Sequence, residues 1–246
     1  MNFPPVRRTA RIATALLVLL LLVGAAALIR AHRTEPSLPS RPAAERPTLL
    51  LLTSLPLVFG ERMSLTEGGA PALTALETRY TVVPVSAADA ATLGRAGLLL
   101  MAHARAQTAE NLVALDKWVR SGGRLLLLAD PALEWESQRP LGDPFRPSPM
   151  FTDTGLLAHW GLRLDAPAEK GPTSRKMAGR EIETLSPGKL SGSCSISRDG
   201  FTADCALGQG RAVVVADADF LDAGRFEKGP ANLDSLLAEL ATLESK

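Results

Sequence analysis

The sequence predicts an α/β domain with a mostly parallel sheet, and two features of the chain support this prediction. Four apolar runs, at residues 48–54, 96–102, 124–129 and 211–216, have the length and composition of strands buried on both faces. Segments with helical periodicity lie between these runs or follow them. An alternation of this kind is typical of parallel strands whose connecting helices cover both faces of one sheet.

The other elements are predicted from local patterns. Residues 80–85 (YTVVPV) are rich in β-branched side chains and predict a strand. Residues 108–121 predict an amphipathic helix that begins after Thr108 as its N-cap and ends at Gly122-Gly123. The remaining predictions are, in chain order, helices at 71–78, 86–93 and 154–160, a strand from 162–164, an irregular polar segment at 166–192 and a closing amphipathic helix at 232–243.

A long apolar run precedes this domain. Residues 12–29 contain no charged side chain and, as a helix, would span roughly 27 Å, which is close to the thickness of the hydrocarbon core of a bilayer. Three arginines, Arg7, Arg8 and Arg11, lie before the run, and positively charged flanks favour the cytoplasmic side. The sequence therefore predicts a cytoplasmic segment at 1–11 and a transmembrane anchor at 12–29.

A cleaved signal peptide is the alternative to this anchor. The arginine-rich start and the small residues at 25–27 fit a signal peptide, but the run is longer than the usual apolar region of about 7–15 residues, which favours retention. Residues 30–47 are rich in proline and polar side chains and predict an extended tether. The α/β domain would then occupy 48–246 on the far side of the membrane.

The two cysteines, Cys194 and Cys205, flank an Asp-Gly pair that predicts a two-residue type I′ hairpin turn. Pairing outward from Asp199-Gly200 places Cys194 directly opposite Cys205, within a hairpin over 193–206. Opposed positions in antiparallel strands have Cα atoms about 4.5–5.5 Å apart, which lies within the disulfide range. We therefore expect a disulfide and an oxidising compartment, which agrees with a domain outside the cytoplasm.

Three aspartates follow predicted buried strands. Asp130 follows one strand, and Asp217 and Asp219 follow another, so all three should lie at the carboxyl edge of a parallel sheet. Three carboxylates could hold a hard cation such as Mg²⁺. The favoured interpretation is that they accept hydrogen bonds from loop amides, because the spacing alone is a weak signal. His103 also ends a predicted strand and is a minor candidate for a general base.

Several function classes find no support in the chain. It contains no G-x-S-x-G nucleophile elbow, no phosphate-binding G-x-x-x-x-G-K-[ST] loop and no pair of histidines at metal-ligand spacing. The net charge is +1 and aromatic residues make up 4% of the chain, which argues against nucleic-acid binding. We therefore predict no catalytic residues, no cofactor and no resident metal.

The Pro-rich stretch at residues 131–150 is predicted to be a long loop. Long loops in compact domains often form binding surfaces. Its large and charged side chains are the candidates for a partner surface, namely Trp135, Arg139, Asp143 and Arg146.

Two stretches of the chain resemble a known family. Residues 111–132, with LDKWVRSGGRLLLLADPA, and residues 208–222, GQGRAVVVADADFLD, are similar to the GldG-type domain, also described as the ABC-type uncharacterised transport system domain, and to the related DUF4350 proteins. The resemblance spans roughly 48–245. It implies a flavodoxin-like, class I glutamine amidotransferase-like fold without the amidotransferase nucleophile, in membrane-anchored extracytoplasmic components that are in some cases linked to ABC transporters.

The chain departs from this family in having a single predicted span and a cysteine hairpin, and no catalytic residue carries over. We expect a non-enzymatic accessory component of an ABC-type transport or envelope system. It would be held in the inner membrane by one helix, with its C-terminal domain in the periplasm, and would bind an ABC permease, its ATPase or another envelope protein. A periplasmic metal-assisted hydrolase and a small-ligand or glycan-binding module stay open as alternatives.

Overall fold

The computed structural model describes residues 37–60 and 69–245. The predicted cytoplasmic segment and transmembrane anchor lie outside the described residues. Within the described part, no helix has both the length and the apolar character needed to cross a membrane. The described residues from Ser37 onward form one compact unit.

The centre of this unit is a seven-stranded, mostly parallel sheet. Its strands are β1 (Thr48–Thr53), β2 (Thr81–Val85), β3 (Leu98–Ala102), β4 (Arg124–Leu128), β9 (Ser195–Ile196), β10 (Thr202–Leu207) and β11 (Gly210–Val215). Five neighbouring strands pair in parallel in the order β2-β1-β3-β4-β11, and an antiparallel pair, β10 and β9, extends the sheet beyond β11. The apolar runs in the sequence are thus the central strands, and the predicted parallel α/β architecture is confirmed.

Helices cover both faces of the sheet, because each central strand is apolar on both sides. One face packs against α1 (Pro71–Glu77) and the long closing helix α5 (Gly229–Ser245). The other face packs against α2 (Ala90–Leu93), α3 (Ala109–Arg120) and α4 (Leu156–His159). Leu50 and Leu51 are both almost fully buried, and because side chains alternate along a strand they belong to the two different cores.

Residues 166–192 differ from the prediction of an irregular segment. They contain a hairpin of β6 (Pro172–Met177) and β7 (Arg180–Leu185), which packs on α5. They also contain β8 (Lys189–Gly192), which pairs with β5 (Leu162–Asp165). The tight turn at Ala178-Gly179 has positive φ at both residues, and alanine rarely adopts this conformation, so the sequence carried little turn signal there.

The described end of the predicted tether lies against the domain. Leu38 packs on the core under α1 and α5, the backbone N–H of Arg41 donates to the Thr78 carbonyl, and the Arg41 guanidinium forms an ion pair with Glu244 at 3.1 Å. Residues 43–45 form a short 3₁₀ turn. Residues 38 and 41 of the predicted tether therefore contact the domain.

The cysteine hairpin has the predicted register. Ile196 lies opposite Ala203 and Ser195 opposite Asp204, and Cys194 and Cys205 form a disulfide with their Cα atoms 4.9 Å apart. The turn differs from the predicted type I′ turn, because Gly200 has a positive φ of 74° and Asp199 does not. A longer loop therefore closes the hairpin, with the Gly200 N–H donating to the Ser197 carbonyl, and it leaves the cysteine pairing unchanged.

Candidate functional site

The strand register brings Asp130 and Asp217 together at the carboxyl edge of the sheet. Leu128 at the end of β4 pairs in parallel with Val215 at the end of β11. Because side chains alternate along a strand, the aspartates two residues later, Asp130 and Asp217, continue on the same face as Leu128 and Val215. Asp219 joins them from a 3₁₀ turn that begins two residues after Asp217.

The three aspartates form one cluster, which we call the carboxylate cluster. One oxygen from each side chain lies within 4.8 Å of an oxygen from each of the others, and all three residues are at most 1% exposed. The sequence prediction that they converge at this edge is therefore confirmed, whereas cation binding by them stays a prediction.

Backbone amides hold two of these carboxylates in place. The Asp130 oxygens accept from the N–H of Ala132 at 2.8 Å and the N–H of Ala218 at 3.0 Å. Both oxygens of Asp219 accept from the N–H of Glu134, at 3.1 and 3.0 Å. The carboxylates thus cap the start of loop 131–150, in the way that the favoured interpretation of the sequence describes.

Only one of the two carboxylate oxygens of Asp217 accepts hydrogen bonds from the described residues. Its Oδ1 accepts from the Thr184 hydroxyl, in the hairpin strand β7, and from the Phe220 N–H at 3.3 Å. Its Oδ2 is shielded from solvent and accepts no hydrogen bond from the described residues. A buried carboxylate oxygen without a partner is costly, so this atom needs a proton or a cation.

Burial dominates the ionisation of the cluster. Burial, opposed by hydrogen bonds from backbone amides, raises the pKa of Asp130 to about 6. Burial together with the negative charge of Asp130 raises the pKa of Asp219 to about 7, and the same two causes raise the pKa of Asp217 well above its ordinary value. At neutral pH the cluster therefore retains protons unless a cation takes their place.

Loop and hairpin residues that sequence reasoning did not single out surround the cluster. Glu134 accepts a hydrogen bond from the Ser186 hydroxyl at 2.5 Å, and the Arg225 guanidinium donates to the Glu134 backbone carbonyl. Ser186 and Thr184 come from the segment predicted to be irregular, so the sequence carried no signal that placed them here.

His103 lies outside the carboxylate cluster, on the other face of the sheet. Its Nε2 donates to the Ser148 carbonyl at 2.9 Å, and its ring contacts Phe151, which packs in the core under α3 and α4. Burial lowers the pKa of His103, which keeps the imidazole neutral. The φ of His103 is 47°, which is strained for a residue with a side chain. His103 is also only 1% exposed, so solvent does not reach it. The structure therefore does not bring His103 and the aspartates into one site.

The polar candidates of the partner surface stabilise their own loop. Trp135 packs partly against the core, Arg139 pairs with Asp143 at 3.6 Å and stacks over Phe145, and Arg146 donates to backbone carbonyls of the loop. The loop also exposes three apolar side chains that were not among the predicted candidates: Leu141 is 88% exposed, Phe145 68% and Met150 57%.

A cavity that was not predicted lies near the amino-terminal end of β11. It has a volume of about 630 Å³, and the disulfide and Trp160 line it together with Arg120, Arg211 and Asp204. Its charges are paired. Asp204 accepts two hydrogen bonds of 2.5 Å from Arg211, and Asp116, just behind the cavity wall, accepts from Arg120 at 2.9 Å and Trp160 at 2.8 Å.

One family matches the chain. A family model described as "ABC-type uncharacterized transport system" matches residues 46–173, slightly more than half of the sequence. The match includes Asp130 and loop 131–150 and ends before Asp217. None of the curated proteins compared with the chain matches it.

Several solved structures are distantly similar to the chain. They include an exo-β-1,4-mannosidase from Opitutaceae bacterium strain TAV5, with 15% identity, a TM-score of 0.48, and coverage of 79% of this chain and 36% of the enzyme. They also include the cytoplasmic protein STM3548 from Salmonella typhimurium, with 11% identity, a TM-score of 0.45, and coverage of 80% and 98%. The chain spans about a third of the length of the glycoside hydrolases it matches. At these scores the likeness carries no functional argument.

Proposed function

Because the chain belongs to the family of ABC-type uncharacterized transport system proteins, we propose that it is a non-enzymatic auxiliary component of an ABC-type transporter. The family match is the observation that carries the proposal. The geometry of the carboxylate cluster is compatible with a binding role, because backbone amides hold the carboxylates of Asp130 and Asp219 in place.

The proposal includes a location outside the cytoplasm, with residues 12–29 as a single anchor in the inner membrane. The disulfide between Cys194 and Cys205 supports this location, since disulfides persist mainly in oxidising compartments. The GldG-type assignment belongs to the same proposal. The strand order β2-β1-β3-β4-β11 supports it, because a 2-1-3-4-5 order is that of flavodoxin-like folds.

Loop 131–150 is the proposed docking surface for the transporter. It exposes Leu141 and Phe145 at the carboxyl edge of the sheet, while ion pairs and carbonyl contacts within the loop fix its backbone. Exposed apolar side chains on a fixed backbone bury area on binding at little cost in conformational entropy. The partner would be an extracytoplasmic part of the permease.

Crosslinking in intact cells tests the proposal. The full-length protein is crosslinked, purified from membranes, and its companions are identified by mass spectrometry. We expect an ABC permease and its ATPase, and we expect Leu141→Glu with Phe145→Glu to reduce their recovery about tenfold. The control is Val113→Glu on α3, which places one glutamate at another exposed apolar side chain and should leave recovery unchanged.

The outcomes separate the parts of the proposal. Recovery of no transporter component with a protein confirmed in the membrane would refute the transport role. Equal recovery with the loop variant and the Val113→Glu control would refute the docking surface alone.

A further inference from the structure

The carboxylate cluster concentrates negative charge that the protein does not neutralise. Asp130, Asp217 and Asp219 are all buried, and no ion pair joins any of them to a lysine or arginine among the residues that the structure describes. Arg225 acts on Asp219 only through space, and Glu134 adds a further negative charge beside Asp130. Full ionisation of the cluster would therefore leave uncompensated charge in a medium of low dielectric constant.

A second observation points to a missing ligand. Oδ2 of Asp217 is buried and accepts no hydrogen bond from any described residue, although Asp217 itself is 0% exposed. The oxygens of Asp130 and Asp219 each accept a hydrogen bond from the backbone, and Oδ1 of Asp217 accepts two hydrogen bonds. The site thus holds carboxylate oxygens in fixed positions with unused capacity to bind.

We propose that Asp130, Asp217 and Asp219 bind one hard divalent cation, and that the buried site favours Ca²⁺. The three ligand atoms lie within 4.8 Å of one another, which is close enough for them to share one ion. Mg²⁺ demands near-ideal octahedral geometry and usually keeps several of its waters, whereas Ca²⁺ accepts flexible coordination, so three aspartates that are each at most 1% exposed favour Ca²⁺. The ligand set contains only oxygen, which disfavours zinc and copper.

Cation binding would connect the sheet to the loop above it. Asp130 and Asp219 hold the N–H groups of Ala132 and Glu134, where the loop leaves the sheet. A cation that neutralises the cluster would fix these carboxylates and the first turn of the loop with them. The cation site does not depend on the transport role, so either can fail alone.

Calorimetric titration tests the proposal. The full-length protein in detergent is first treated with a chelator to remove bound metal and is then titrated with CaCl₂ or MgCl₂. We expect saturable binding of one Ca²⁺ per chain, a Tm increase of several degrees, and weaker binding of Mg²⁺. Asp217→Asn, which keeps the shape of the side chain and removes its charge, should weaken Ca²⁺ binding at least tenfold. Asp165→Asn is the matched control, since Asp165 is a partly exposed aspartate at the end of β5.

Two results would overturn the proposal. One is the absence of saturable binding to the folded wild-type protein up to millimolar Ca²⁺, which would mean that the cluster holds protons only. The other is binding that neither Asp217→Asn nor Asp219→Asn weakens, which would place the cation elsewhere. Near-ultraviolet circular dichroism establishes that each variant is folded, and Asp219→Asn replaces Asp217→Asn if that variant is not.

Discussion

Aspartates at the two ends of the central sheet have opposite environments. At the amino-terminal end, Asp116 and Asp204 are paired with Arg120 and Arg211 and remain partly exposed. At the carboxyl end, the three aspartates of the carboxylate cluster are buried without a cationic partner among the described residues. Burial by itself opposes ionisation of Asp116, but hydrogen bonds from Arg120 and Trp160 hold its pKa below the ordinary value.

The difference separates carboxylates that are paired with arginines from carboxylates that have no cationic partner among the described residues. The amino-terminal carboxylates are already satisfied, so a ligand gains little by approaching them. The carboxyl-end cluster has its pKa values raised, and functional sites often contain groups displaced in this way. The carboxyl edge is also where ligands bind in open α/β sheets.

The largest expected effect is on the pH dependence of stability. Because the folded state holds the protons of the cluster more tightly than the unfolded chain, the stabilisation is present at low pH and is lost as pH rises through about 6 and about 7. For Asp130 alone, a pKa raised from 3.8 to about 6 corresponds to about 3 kcal/mol. Urea unfolding of the chelator-treated protein between about pH 4 and pH 8 measures this decrease.

Comparison with Asp217→Asn isolates the contribution of the cluster to that profile, because both proteins contain His103, whose lowered pKa acts in the opposite direction. We expect the variant to have a flatter profile. Identical profiles for the two proteins would show that the cluster does not titrate in this range.

Removal of the disulfide should produce the next largest effect, at the amino-terminal end. Cys194→Ala combined with Cys205→Ala releases a cross-link with a sequence separation of 11, which corresponds to about 2–3 kcal/mol of unfolding free energy. The measurement is Tm by differential scanning calorimetry. The oxidised wild-type protein should lose the same stability when it is treated with a reductant, and an unchanged Tm in both experiments would contradict the expectation.

Asp217→Asn should stabilise the cation-free protein at about pH 8, by roughly 1–2 kcal/mol. The amide can still accept from Thr184 and Phe220 through its oxygen, and its NH₂ group can donate to the neighbouring carboxylates where Oδ2 of Asp217 has no partner. Chemical denaturation without divalent cations is the measurement. A decrease in stability would mean that the Asp217 charge is compensated in a way that the described contacts do not show.

Asp116→Asn should have the smallest effect and the opposite sign, a loss of about 0.5–1 kcal/mol. It removes the charge that Arg120 and His159 face but keeps an acceptor for the Trp160 N–H. The same denaturation experiment measures the loss. If Asp116→Asn and Asp217→Asn shifted stability in the same direction, the distinction between the two ends would fail.

The sequence predicted those structural features that depend on short stretches of the chain. Apolar runs identified the central strands, and the hairpin register placed Cys194 opposite Cys205. The convergence of Asp130 and Asp217 followed from their common position after parallel strands. Each of these predictions depends on a few residues within or directly after a strand, and the pairing of the strands fixes where those residues lie.

The parts that could not be predicted depend on packing between distant segments. The strands of the β6-β7 hairpin contain few apolar side chains, so they lack the apolar runs that identify the central strands. Without that hairpin, the contact between Thr184 and Asp217 could not be foreseen. Nor can a residue pattern show that one carboxylate oxygen lacks a partner, since this requires the positions of all the groups around it.

The two edge strands of the central sheet affect whether another polypeptide can add a strand to it. At one edge, β2 carries Pro84, which has no N–H to donate to an added strand, and at the other edge β9 is only two residues long. Both edges are thus poor templates for strand addition by a neighbouring polypeptide. In a crowded compartment this protects the central sheet against edge-to-edge aggregation.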